Sequence, residues 1–260
     1  MSGPELAGIA RRLGEAPPLR AVRAGSRMAA LGLATFDTAG RLRRLRGGAA
    51  RETTRERALV LRDVARRVLD LHGVAVSAEG ALPLGPAILA ANHVSWLDPL
   101  VVASVLPCAP LSKMDVAGWP LIGTIARELG VLFVTRGDPR SGARALNAAA
   151  EALACGVSVL NFPEGTTTEG KVVLPFRTGM FGLAARLGVP VVPVAIRYDP
   201  PSLAWVGDAT FLPHYLAFAA RRRTSAFVRF GAPAAAAPDA RSSELARTAH
   251  AAVSRLLAEA

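Results

Sequence analysis

Seven short apolar runs alternate with stretches of helical length from Val74 onward, and this alternation leaves few architectures open. The runs fall at 74–78, 87–91, 110–113, 131–135, 157–161, 191–197 and 225–230. The helical stretches fall at 99–106, 118–129, 139–154, 177–187 and 241–259, and in the third of these Ala143, Leu146, Ala150 and Leu153 line one side. Short strands that alternate with helices pair in parallel and are covered by those helices. The expected fold class is α/β: a mixed, largely parallel sheet flanked by helices, with an N-terminal helical extension. No internal repeat is visible, and the segment from Ala232 to Ala240, with Pro233 and Pro238, reads as a short linker before the last helix.

Two regions follow from this pattern, an N-terminal basic helical region at 1–72 and an α/β domain at 73–260. Leu61, Val64, Val68 and Leu71 recur at helical spacing over 51–72, and Gly73 stops that helix. Residues 1–50 are rich in Gly, Ala and Arg; helix is expected there too, weakened by Gly25, Gly32 and Gly40. Of the net charge of +11, residues 1–80 carry fifteen Arg against eight Asp or Glu. Such an excess suits an anionic bilayer or a nucleic acid. The few aromatics are not interleaved with the arginines, and no zinc-finger, RNP or basic-zipper pattern is present, which disfavours nucleic acid. A solvated basic face is the plainer alternative for any one cluster.

No stretch reaches the roughly 18 apolar residues of a spanning helix, and residues 1–15 have no signal-type apolar core. The expectation is a protein of the cytoplasm, peripheral on the cytoplasmic face of a membrane. The two cysteines, Cys108 and Cys155, form neither a disulfide framework nor a metal pattern, and both are expected to be buried and inert.

The chemistry concentrates directly after the run 87–91, in Asn92-His93-Val94-Ser95-Trp96-Leu97-Asp98-Pro99. A polar turn between a strand and a helix is where α/β folds place reactive groups. His93 can take a proton near neutral pH, and a carboxylate five residues on can orient the ring and stabilise its charge. Asp98 ahead of Pro99 is equally a helix start, Asp as N-cap and Pro as first helical residue. Ser95 lies between the pair without a Gly-x-Ser-x-Gly elbow, so it is assigned to the turn rather than to a nucleophile.

Three further blocks follow in order: Gly130-Val131-Leu132-Phe133-Val134-Thr135-Arg136, Asn161-Phe162-Pro163-Glu164-Gly165-Thr166, and Val189-Pro190-Val191-Val192-Pro193-Val194-Ala195-Ile196. Together the four blocks resemble the glycerolipid acyltransferase family, above all the 1-acylglycerol-3-phosphate acyltransferases, over about residues 74 to 231. The resemblance implies His93 as general base, oriented by Asp98, acting on a lipid hydroxyl that attacks an acyl thioester. It implies substrate binding by Arg136, Glu164, Gly165, Thr166, Lys113 and Arg177. Arg136 would hold the acceptor's phosphate, its plain alternative being a surface arginine beside Asp138. Glu164 would accept hydrogen bonds from acceptor hydroxyls or from loop N–H groups, or else begin a helix. Lys113 ranks second, because Met114-Asp115 replaces the glutamate the family usually has next. Arg177 would reach an anion or merely open a helix. The fourth block is assigned to a buried strand with Pro at its ends.

No metal and no cofactor are expected; the co-substrate would be an acyl-CoA or acyl carrier protein thioester, and the partners a lysophospholipid acceptor and an anionic membrane surface, with no nucleic acid. The implied product is phosphatidic acid made from 1-acylglycerol-3-phosphate. Alternatives are a different lysolipid acceptor, such as lyso-ornithine lipid, and a non-catalytic lipid-binding membrane protein. The basic, apolar-patched segment 20–50 is a natural interfacial element or, alternatively, a cover for the sheet. His72, His214 and His250 are read as ordinary, with His72 favourable as a cation at a helix C-terminus.

Overall fold

The computed structural model describes residues 17–44, 50–119, 122–207, 210–236 and 240–259. Its central sheet holds seven strands in the order β1-β7-β6-β2-β5-β3-β4. The strands are β1 (Val74–Glu79), β2 (Ile88–Ala91), β3 (Cys108–Lys113), β4 (Leu132–Val134), β5 (Ser158–Asn161), β6 (Val191–Asp199) and β7 (Thr224–Phe230). Strands β2 to β6 run parallel; β7 is antiparallel to β6, and β1 follows β7. The mixed, largely parallel sheet expected from the alternation is what forms.

The helices among the described residues are α1 (Pro17–Arg44), α2 (Ala50–Leu71), α3 (Asp98–Val105), α4 (Met114–Ala117), α5 (Ile122–Glu128), α6 (Pro139–Ala154), α7 (Gly179–Leu187), α8 (Phe211–Ala219) and α9 (Ser242–Ala258). They form two layers. Leu89 and Ala91 of β2 face one core with Ala24 and Leu42 of α1, Leu61 and Leu69 of α2, Val101 of α3 and Phe218 of α8. Ile88 and Ala90 face the other core with Ala149 of α6, Phe181 of α7 and Ala249 of α9. A strand buried on both faces has no need of polar alternation, which is why 87–91 reads as an unbroken apolar run.

Several expectations need correction. The helix expected over 118–129 forms only as α5 (Ile122–Glu128), and a separate short helix, α4 (Met114–Ala117), precedes that stretch. The helix expected within 1–50 does form, over 17–44, as one 28-residue helix despite three glycines. Helix α8 was not legible: Pro213 is its third residue, and a proline is tolerated there because first-turn N–H groups lack helical partners anyway. Pro193 lies inside β6 rather than at its end. Its carbonyl accepts from Gly231 N, so its ring nitrogen faces the same side, just past the end of β7 where the ladder needs no donor. Cys155 is only half-buried, whereas burial pushes the Cys108 thiol up to about 12.

His72 is not a cation. It is buried between α2 and α8, stacked on Phe218, with Nδ1 bonded to Val68 O at 2.7 Å and Nε2 to the Tyr215 hydroxyl at 3.1 Å. Burial lowers its pKa below the ordinary 6.5, only partly offset by the Val68 carbonyl. The unfolded chain therefore binds the proton more readily than the folded one. Stability is fully present above pH 6.5 and is lost as the pH falls from there towards the lower folded value. Thermal melts across that range should show a decline that is shallower in His72→Phe; an equal decline in both proteins would remove His72 from acid sensitivity.

Candidate functional site

Parallel β2 to β6 bring their carboxyl ends to one edge of the sheet, and the residues singled out in the sequence cluster there. His93 follows β2, Glu164 follows β5, Lys113 ends β3 and Arg136 lies two residues beyond β4. The first three blocks, separated by tens of residues, thus converge because of strand order alone.

The His93 ring binds Asp98 through Nδ1, 2.7 Å from Oδ2; the His93 side chain is 16% exposed and that of Asp98 0%. The same Oδ2 accepts from Val94 N at 2.7 Å and Ser95 N at 2.9 Å, and Oδ1 accepts from the Tyr198 hydroxyl at 2.6 Å. Asp98 is the first residue of α3, after N-cap Leu97, and caps nothing in that helix. Its carboxylate turns back onto the loop that precedes it. Ser95 serves the turn, its hydroxyl accepting from Leu97 N at 3.4 Å. The ring stacks on Phe162 with centroids 4.1 Å apart, which leaves Nε2 as the nitrogen not engaged by Asp98.

The Asn92 side chain pins the loop to β6, giving its N–H to Ile196 O at 3.0 Å and accepting from Ile196 N at 2.7 Å. Glu164 is buried and begins no helix. Oε1 accepts from His93 N at 2.7 Å and Oε2 from Leu174 N at 2.8 Å. Of the two hydrogen-bonding roles expected for it, the loop N–H groups are the ones taken. Burial raises its pKa, opposed by those two N–H groups. Gly165 has φ +75°, and an added Cβ would lie 2.6 Å from the Arg177 Nε, so the Arg177 guanidinium lies directly over this turn. Arg177 precedes α7, whose N-cap is Thr178, and does not open the helix.

Arg136 is exposed, yet burial and the like charge of Arg177 lower its pKa below the ordinary guanidinium value, while Asp115 opposes them. Two guanidinium groups in mutual repulsion beside a turn can receive an anion. Lys113, at the end of β3, pairs with Asp115 at 2.6 Å, both side chains well exposed. Thr166 is exposed on the same turn. His214 Nδ1 accepts from the Trp96 indole at 3.0 Å, and His250 bonds Val173 O at 3.0 Å; both hold loops. Among the described residues no three His, Cys, Asp or Glu side chains are grouped so as to hold a metal ion. An open cleft of about 540 Å³ on α2, lined by Asp63, Arg66, Arg67, Asp70 and Leu71, contains none of the block residues.

Sequence reading missed Asn92 as a brace and Tyr198 altogether. For Tyr198 the signal was period two: Val192, Val194, Ile196 and Tyr198 share a face of β6.

A family model described as Acyltransferase matches residues 73–197. The lyso-ornithine lipid O-acyltransferase of Rhizobium meliloti is 39% identical over 56% of this chain and 56% of its own length. That of Brucella abortus is 32% identical over 75% of this chain and 80% of its own length. The 1-acyl-sn-glycerol-3-phosphate acyltransferase of Neisseria meningitidis is 32% identical over 73% of this chain and 72% of its own. The match thus spans little more than half of the rhizobial protein. In fold, the chain is similar to the 1-acyl-sn-glycerophosphate (LPA) acyltransferase of Thermotoga maritima, with a TM-score of 0.63 and 22% identity over 91% of this chain and 97% of that one.

Glu164→Gln keeps the shape of the side chain but turns an NH2 towards one of the two N–H groups. At about 1–3 kcal/mol for a buried group left unpaired, it should lower the melting temperature and cut turnover more than tenfold. Calorimetry and an acyl-transfer assay on one preparation check this; wild-type values in both would mean the clamp is dispensable.

Proposed function

The chain belongs to the acyltransferase family, and from that premise we propose that it is an O-acyltransferase moving a fatty acyl group from an acyl thioester to the hydroxyl of a lysolipid, foremost 1-acylglycerol-3-phosphate. The observation that carries this reading is the 2.7 Å bond from His93 Nδ1 to the buried Asp98 carboxylate, which leaves Nε2 for the substrate. Nε2 takes the proton of the acceptor hydroxyl as its oxygen attacks the thioester carbonyl carbon. The C–S bond then breaks, and the imidazolium returns the proton to the departing thiolate. Asp98 holds the tautomer and stabilises the imidazolium. No acyl-enzyme is required.

Arg136 and Arg177 supply positive charge for the acceptor's anionic headgroup, and the Gly165 turn offers a close backbone approach. Asp115 favours a second reading, in which the acceptor is lyso-ornithine lipid. Ornithine carries both a carboxylate and an ammonium, and Arg136 beside the Lys113–Asp115 pair presents both signs of charge to such a headgroup. The donor is an acyl-CoA or acyl carrier protein thioester, acidic in either case and matched to a basic protein.

Helix α1 supports membrane contact on different grounds from its charge. Arg23 and Arg27 turn inward to carbonyls at the end of α8, and Arg41 pairs with Asp63. The outward face instead exposes Leu19, Val22, Leu33 and Phe36, the last two at 73% and 77%. The inward face buries Ala24, Ala34, Thr38 and Leu42. An apolar stripe opposite the packed side of a surface helix suits insertion at the headgroup level. No described helix is long and apolar enough to cross a membrane. The division of labour is thus a basic N-terminal region at the bilayer and an α/β domain for the chemistry.

His93→Ala should lower turnover by about 10³, since general-base catalysis contributes roughly 10²–10⁴; retention of a tenth of the rate in the folded variant would dismiss His93 as base. Assayed on a lysolipid panel with one thioester and read by product mass, Arg136→Ala should raise KM for anionic acceptors. Exclusive use of lyso-ornithine lipid would select the second reading. Leu33→Asp with Phe36→Asp should weaken vesicle sedimentation while sparing turnover on a short-chain soluble acceptor. Unchanged sedimentation would reject the apolar stripe as the contact.

A further inference from the structure

Tyr198 is bound to the reactive pair from a distant part of the chain. It comes from β6, a hundred residues beyond Asp98, is 3% exposed, and gives its hydroxyl proton to Asp98 Oδ1 at 2.6 Å. That oxygen is the one not shared with His93, Val94 N or Ser95 N. We propose that Tyr198 is a positioning residue that sets how strongly Asp98 draws the Nδ1 proton of His93, and so where on the pH scale His93 becomes a competent base. This rests on the reading of His93 as general base.

The carboxylate has a fixed amount of negative charge to distribute among its donors. A short bond from the phenol withdraws part of it from Oδ2 and so weakens the pull of that oxygen on the Nδ1 proton. Burial keeps the phenol itself protonated: its pKa is raised well above the ordinary 10, by desolvation first and the Asp98 charge second. Tyr198 therefore remains a donor throughout the working pH range. Glu164 also faces the pair, from the turn after β5, with its carboxylate committed to His93 N and Leu174 N. His214 of α8 is turned to Trp96 instead. Neither offers Asp98 Oδ1 a hydrogen bond, so the phenol is the lever.

The test is the pH dependence of kcat/KM in wild type, Tyr198→Phe and Tyr215→Phe, with melting temperatures alongside. Loss of the phenol returns charge to Oδ2, favours the imidazolium and moves the acidic limb up by about half a unit to one unit, with kcat reduced up to about tenfold and KM unchanged. Tyr215→Phe removes another buried hydroxyl, the one on His72, and should cost stability without moving the limb. Replacement of Tyr198 by 3,5-difluorotyrosine, a stronger donor of nearly the same shape, should move the limb down and serves where the Phe variant folds poorly. A limb that stays fixed in both Tyr198 variants overturns the proposal and reduces Tyr198 to packing. A wild-type limb that survives in His93→Ala overturns the general-base reading itself, which separates the two failures.

Discussion

The burial of one carboxylate organises this protein's reactive edge. Asp98 is fully withdrawn from water, and a charge in that position is costly unless donors surround it. Four do: two N–H groups of its own loop, the His93 ring and the Tyr198 hydroxyl. Each contact that stabilises the charge also fixes a piece of structure. Val94 N and Ser95 N fold the loop back, the ring is aimed, and β6 is tied to the start of α3. The histidine's direction is therefore not a loop accident; it is a by-product of giving the buried Asp98 side chain its hydrogen-bond partners.

A second carboxylate repeats the device one strand away. Glu164 spends both oxygens on backbone N–H groups, joining the loop after β2 to the turn after β5 and to Leu174. Asn92 does the same towards β6 with an amide. Strands β5, β2 and β6 are neighbours, so three polar side chains lace their carboxyl ends together where the sheet's own ladder stops. This lacing fixes the loop that carries His93. The cations remain outside it: Arg177 lies on the Gly165 turn and Arg136 stays exposed.

What could be read in advance divides by sequence distance. The strands and the longer helices were legible because periodicity is local, and the His93–Asp98 pair because five residues separate its members. Tyr198, and Ile196 as the partner of Asn92, were not, since only the crossover to β6 brings them near. Glu164 showed its residue type and the option of loop N–H partners, but not which ones, because His93 N reaches it only across neighbouring strands. Lys113 pairs with Asp115, two positions on, a local contact that its place at the end of a strand did not reveal. The arginines of α1 read as a membrane-facing charge, yet the helix turns several inward and exposes an apolar stripe on its opposite side.

The state of the His93 ring is the most direct measure of this account. Nitrogen-15 NMR of histidine-labelled protein at pH 8, assigned with His93→Ala, reports which ring nitrogen carries the proton. A proton on Nδ1, shifted far downfield by the short bond to Asp98, with Nε2 bare, is the predicted result. A proton on Nε2, or a ring whose signals ignore replacement of Asp98 by Asn, would contradict it.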